Sequence, residues 1–171
     1  MFGTTIIVYA ITSLLSSNSE TLKLSKNKVF QFDLTTDMVS TEMEPGDSFD
    51  VKPVVNSDAT EEIYVFIQAD MPTTVDGALY SFNADNEWIP VSDNDRTIIY
   101  AYTNSEMTAL QPGDSTSALT EQMTMDEISN AEYAAIDDIN ITITGYTIGT
   151  EDVSANLIEA WNQCKLIGNI Q

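Results

Sequence analysis

Pro45-Gly46-Asp47-Ser48 and Pro112-Gly113-Asp114-Ser115 are one four-residue phrase met twice in the same chain. Each copy follows Glu44 or Gln111 and precedes a Ser/Thr-rich segment with strand character. Proline at the second position of a turn presets φ, and glycine at the third supplies the positive φ of a type II turn. Asp and Ser can then bond the local backbone as the chain enters a strand. This is turn chemistry, not reaction chemistry. Two such turns among many short β-type runs predict a β-sandwich with surface loops, so function is to be sought first in assembly or binding.

Outward from these turns, the clearest strand is residues 61–69, where Ile63, Val65 and Ile67 alternate with Tyr64, Phe66 and Gln68. Both faces are largely apolar, which places it centrally in a sheet. Phe49, Val51 and Val55 share one face of the segment after the first turn, with Pro53 marking an edge position. Residues 79–82 and 87–91 flank a polar Asn83-Ala84-Asp85-Asn86 and read as a hairpin. Residues 97–103 form a further strand, and residues 116–124 offer Ala118 and Leu119 as inward candidates. Residues 139–148 alternate strictly and predict a half-buried strand.

Two short helices are expected. Residues 126–135 carry Ile128, Tyr133 and Ala134 between acids. In residues 151–165 an apolar stripe runs through Val153, Leu157, Ala160, Trp161 and Cys164. Thr150 is the expected N-cap, with Glu151 and Asp152 at the positive end and Lys165 at the negative one. Trp161 is read as a core anchor and Cys164 as a buried, inert thiol. The class is all-β: an antiparallel β-sandwich decorated with one or two short helices.

Composition removes several functions. The 171 residues suit one domain, with 27 acids against six Lys or Arg and a net charge of −21. Such a surface repels nucleic acid and anionic headgroups. No histidine is present, so neither a Ser-His-Asp or Cys-His site nor a His-x-x-x-His zinc site can be built. Cys164 is the single cysteine, which rules out a disulfide within the chain. Asp85-Asn86-Glu87 and Asp93-Asn94-Asp95 have metal-like composition without EF-hand spacing, and read better as solvated turns. Asn140-Ile141-Thr142 matches the N-glycosylation pattern inside the alternating strand. Carboxylate pairs are inevitable among so many acids and say little about hydrolysis. No catalytic residue, metal site or cofactor is expected.

Residues 4–11 are β-branched and apolar on both faces, as in a strand buried on both sides. The apolar run from Ile6 to Leu15 is about half the length needed to span a bilayer and lacks a basic n-region. It reads as the tail of a signal peptide or as a mature strand. The chain divides accordingly into an N-terminal strand segment, residues 1–15, and a sandwich domain, residues 16–171.

Taken in order, several segments resemble the TasA and camelysin-type family of exported bacterial matrix proteins, with relatives among archaeal bundling pili. Tyr9-Ala10-Ile11-Thr12 is similar to the start of the mature family chain, although Ile11-Thr12-Ser13 lacks its second aromatic and its Asp. Thr21-Leu22-Lys23-Leu24 and Phe32-Asp33-Leu34 resemble its first strands. Met43 through Phe49, on to Asn56-Ser57, is similar to its L-x-PGDS segment. Trp88, Tyr100, Tyr102 and Leu110 through Asp114 follow the order of a second segment. Asn130-Ala131-Glu132-Tyr133, the strand to Tyr146, and Glu159-Ala160-Trp161-Asn162 resemble its carboxy-terminal half.

The resemblance implies a jelly-roll-like sandwich, secretion to the extracellular space or cell surface, and self-assembly into a homopolymeric fibre or pilus of the biofilm-matrix type. It also implies that an N-terminal strand of one subunit completes a neighbour's sheet, with other matrix or cell-surface components as further partners. Camelysin-type relatives carry a metalloprotease label, which a chain without histidine does not support. Ile6, Ile7, Val8, Tyr9 and Ile11 are the candidate polymerisation residues, either exchanged with a neighbour or inserted into their own sheet. The rival expectation is a monomeric adhesin or carbohydrate-binding sandwich, for which Tyr80, Trp88, Tyr100 and Tyr102 would have to be exposed on one sheet face.

Overall fold

The computed structural model describes residues 3–10, 32–35, 41–42, 44–71, 73–74, 77–93, 97–103, 108–135, 139–153 and 156–168. Its larger sheet has six strands, in the order β10 (Trp88–Asp93), β11 (Thr97–Tyr102), β6 (Ile63–Asp70), β13 (Ile139–Gly149), β1 (Gly3–Ala10) and β3 (Thr41–Glu42). The smaller pieces are β4 (Ser48–Asp50), β12 (Gln122–Met125) and β9 (Tyr80–Ser81) in one sheet, and β2 (Phe32–Thr35) with β5 (Val54–Ser57) in another. A ribbon of β7 (Thr73–Thr74) and β8 (Gly77–Ala78) completes the described strands. Every pairing is antiparallel except β1 with β13. The chain is an all-β sandwich with two short helices.

The two Pro-Gly phrases fold as expected and do more than turn the chain. Gly46 has φ +89° and Gly113 φ +82°, a region where side-chain-bearing residues are strained. Asp47 N–H donates to Glu44 O at 3.0 Å, and Asp114 N–H to Gln111 O at 3.1 Å, closing both turns. Each glycine then opens a bulge against one residue of another strand. Gly46 N–H donates to Met125 O while Met125 N–H donates to Asp47 O. Gly113 N–H donates to Ser57 O while Ser57 N–H donates to Asp114 O. Residues 46–57 and 113–125 thus run antiparallel, and each phrase starts one segment and grips the end of the other. The serines repeat the pattern, Ser48 Oγ lying 2.8 Å from Thr124 Oγ1 and Ser115 Oγ donating to Asn56 Oδ1 at 2.7 Å.

β6 lies third in the large sheet and is buried on both faces, as its sequence predicts. Ile63, Val65 and Ile67 enter the core with Val51, Val55, Leu119, Met123, Met125, Ile141 and Ile143. Tyr64 and Phe66 turn to the other face, where they meet Tyr146, Ile148, Ala160, Trp161 and Cys164. That second core lies under α2 (Leu157–Gly168). The Trp161 ring stands 5.2 Å from Phe66 and 5.7 Å from Tyr146, so it is the anchor expected.

Four local expectations change. Residues 79–82 and 87–91 do not form a hairpin: Tyr80 and Ser81 pair with β12, whereas Trp88 pairs with Tyr102 in the other sheet. The turn between them, closed by Trp88 N–H on Asp85 O at 2.9 Å, carries the chain from one sheet to the other. β13 is buried on both faces rather than half-buried, since Ile141 and Ile143 face one core and Tyr146 and Ile148 the other. The second helix starts at Leu157, with Asn156 Oδ1 accepting from Ile158 and Glu159 N–H at 3.1 Å each, and Thr150–Asp152 is a separate 3-10 turn. The first helix is α1 (Asn130–Ala135), set by a capping box in which Ser129 N–H and Oγ both donate to Glu132 Oε2.

Candidate assembly site

β1 forms where the sequence places an apolar β-branched run, and it takes a position different in kind from β6. It pairs in parallel with β13 over seven consecutive positions, from Thr4 opposite Ile139 to Ala10 opposite Gly145. Ile6, Ile7, Val8 and Tyr9 stand opposite Ile141, Thr142, Ile143 and Thr144. Of these partners Ile141 and Ile143 are fully buried core residues. Ile11, the fifth candidate, lies outside the described residues, as do Thr21 to Leu24, which resemble a first strand of the family.

On its other side β1 pairs antiparallel with β3, where the described residues place Gly3 opposite Glu42 and Thr4 opposite Thr41. A parallel strand needs a long connection to its partner, and here the partners are separated by nearly the whole chain. No feature of residues 4–11 by themselves predicts that pairing. At the opposite edge of the sheet β10 carries Pro90 and a register shift between Pro90 and Ser92, both of which blunt an edge against added strands.

The alternative residues resolve differently. Tyr80, Trp88 and Tyr100 are buried in the core between the sheets, and Tyr102 is half-buried with its ring 5.2 Å from Trp88. They make no exposed aromatic face. Asp85 Oδ1 accepts Glu87 N–H at 3.0 Å, the bond of a polar turn. Among the described residues, no three His, Cys, Asp or Glu side chains converge on a metal-sized space. Cys164 is buried and its thiol is pushed up to about 12 by desolvation, so it is a poor nucleophile. Burial also raises the Tyr146 phenol, with the charge of Asp70 adding to it.

No helix among the described residues is long and apolar enough to cross a membrane. No known family model, curated protein or solved structure matches the chain.

Proposed function

We propose that this chain is a non-enzymatic structural subunit of an extracellular fibre or pilus, assembled by exchange of β1 between copies of the same chain. The observation that supports it is the placement of β1: a strand from the N-terminal part of the chain joins β13, from its far end, in parallel at seven consecutive positions. A strand joined to its partner from the far end of the sequence is the kind of element that copies of one chain exchange.

Exchange keeps the chemistry of the closed form. A neighbour's residues 3–10 entering against β13 in the same direction and register would remake the same backbone bonds. Domain swapping is inexpensive for this reason. Eight residues reach roughly 26 Å, about the length of a sandwich strand. Residues 11–31 connect β1 to β2, and a chain of that length spans up to about 70 Å when extended. A vacated β13 would present unpaired N–H and C=O groups beside apolar side chains, which strongly favours refilling. The order of segments shared with the TasA and camelysin-type family supports the same reading, and so does a composition rich in Thr, Ser, Asn and Asp with few Lys or Arg.

Electron microscopy of concentrated full-length chain tests the proposal. Fibres are expected, and uniform monomers under all conditions would count against it. A chain lacking residues 1–12 should stay folded but assemble poorly, and the excised segment added as a peptide should block growth. Ile7→Asp should act in the same sense, because an unpaired carboxylate in a sheet joint costs several kcal/mol. Identical fibres from the truncated chain would sink strand exchange.

A further inference from the structure

We propose that the outer face of the small β4–β12–β9 sheet carries a basin that binds a neutral, polyhydroxylated ligand, an internal stretch of a glycan chain. The basin is an open concavity of about 650 Å³, within the usual range of small-ligand sites. Its floor is the outward row of side chains on β4 and β12, namely Asp50, Gln122 and Thr124. Its wall is the connection from β9 to β10, which contributes Phe82, Asn83 and Asn86.

Floor and wall are both held in place. Gln122 Nε2 donates to Asp50 Oδ1 at 2.9 Å, which fixes an amide and a carboxylate side by side. Thr124 Oγ1 lies 2.8 Å from Ser48 Oγ on the neighbouring strand. The wall is pinned to the core: Asp85 N–H donates to Leu119 O at 2.8 Å, and Trp88 N–H to Asp85 O at 2.9 Å. Preorganised polar groups lose little entropy when a ligand arrives.

The lining selects a ligand by exclusion and by fit. Lys52 is its one cation, and it is ion-paired with Glu121 at 2.9 Å. Phosphates and uronates would meet Asp50, Asp85 and Glu121 on a chain of net charge −21, which repels them. A lipid or other apolar ligand would leave the amides and carboxylates desolvated and unpaired. A neutral sugar suits both surfaces present. Its vicinal hydroxyls can donate to carboxylate and amide oxygens and accept from amide N–H groups. Its C–H face can lie against Phe82, a half-buried ring tilted against Tyr100 with centroids 5.7 Å apart. The open shape suits a chain passing through rather than a terminal residue enclosed. The inference does not depend on strand exchange, because the basin is built without β1.

The test is a titration of the full-length chain, kept monomeric at neutral pH and low salt, followed by backbone and side-chain amide NMR. The probes are cellohexaose, maltohexaose and laminarihexaose, with an oligogalacturonate and calcium chloride as charged controls. At least one neutral hexasaccharide should shift the amides of Asn83, Asn86 and Gln122 and bind in the millimolar range. Asn86→Ala and Gln122→Ala should each weaken binding about tenfold, as expected for a lost ligand hydrogen bond. Asn162→Ala, on the exposed side of α2, should leave it unchanged. All three substitutions are at exposed positions, and retention of the core amide spectrum shows that the variants are folded. Shifts produced only by the oligogalacturonate or by calcium, or no shifts with any neutral probe, would overturn the proposal.

Discussion

β6 and β1 are both eight-residue strands of one sheet, both rich in β-branched residues, and yet they hold the molecule in different ways. β6 is flanked by antiparallel β13 along its length and by antiparallel β11 from Phe66 to Asp70, and it is buried on both faces. β1 pairs in parallel with β13 at seven positions, from Thr4 to Ala10, and antiparallel with β3 on its other side. Composition alone would rank them as equals. The difference is topological: β6 sits between antiparallel neighbours with both faces buried, whereas β1 joins in parallel a strand from the far end of the chain, and the proposed exchange turns on that joint.

The largest effect expected from this contrast is at Phe66, fully buried against Trp161. Phe66→Ala should cost about 3–5 kcal/mol, the usual range for a buried aromatic. Removal of residues 1–12 should leave a single cooperative denaturant transition. If truncation erases the transition while Phe66→Ala hardly moves it, the ranking of the two strands is wrong.

A somewhat smaller, pH-gated effect comes from the layer behind β6. The Cys164 thiol is raised from 9.0 to about 12 by burial, so the fold favours its neutral form. That contribution is fully present below pH 9 and is lost as pH climbs from 9 towards 12. The loss is of order a few kcal/mol. Tyr146, raised above 10.0 mainly by burial, adds to the loss at higher pH. Denaturant midpoints measured from pH 7 to 11 should fall on the alkaline side, less steeply for Cys164→Ala. The same alkaline slope in both chains would remove the thiol from the account.

Smaller again are the turns. Gly46→Ala and Gly113→Ala force a Cβ onto a positive φ and should each cost about 1–2 kcal/mol by thermal melts. Both should destabilise the sandwich without altering the β1–β13 pairing. The least effect per subunit is electrostatic. With net charge −21, association should increase as carboxylates protonate towards about pH 4, and with added salt through screening. Light scattering that stays flat under both changes would contradict it.

Much of the scaffold was legible because it is locally encoded. Positive φ at Gly46 and Gly113 follows from the Pro-Gly order alone, and the two-faced burial of β6 follows from its unbroken apolar run. Features set by distant partners were not legible. Asn83 to Asn86 has hairpin composition, but Tyr80 and Trp88 are drawn into one core from opposite sheets. Thr144 falls on the polar row of the alternation with Asn140 and Thr142 and is nevertheless buried, because threonine tolerates both environments. Asn156 outcompetes Thr150 as a cap, and both have the right chemistry. At the candidate assembly site, residues 4–11 announced a strand, while its parallel register with β13 depends on residues at the far end of the chain.

The most direct test of strand exchange uses that register. Ile7 stands opposite Thr142, and neighbouring strands lie about 4.8 Å apart, within the Cα separation of roughly 4.4–6.8 Å that a disulfide bridges. In a Cys164→Ala background, one chain carries Ile7→Cys and a second carries Thr142→Cys. The two are mixed under assembling conditions and oxidised. The account predicts a disulfide-linked pair of unlike chains on a denaturing, non-reducing gel, formed only in the fibre fraction. If fibres grow but the unlike pair never forms, while a single chain carrying both substitutions closes on itself, then β1 stays in its own sheet and the exchange mechanism is contradicted.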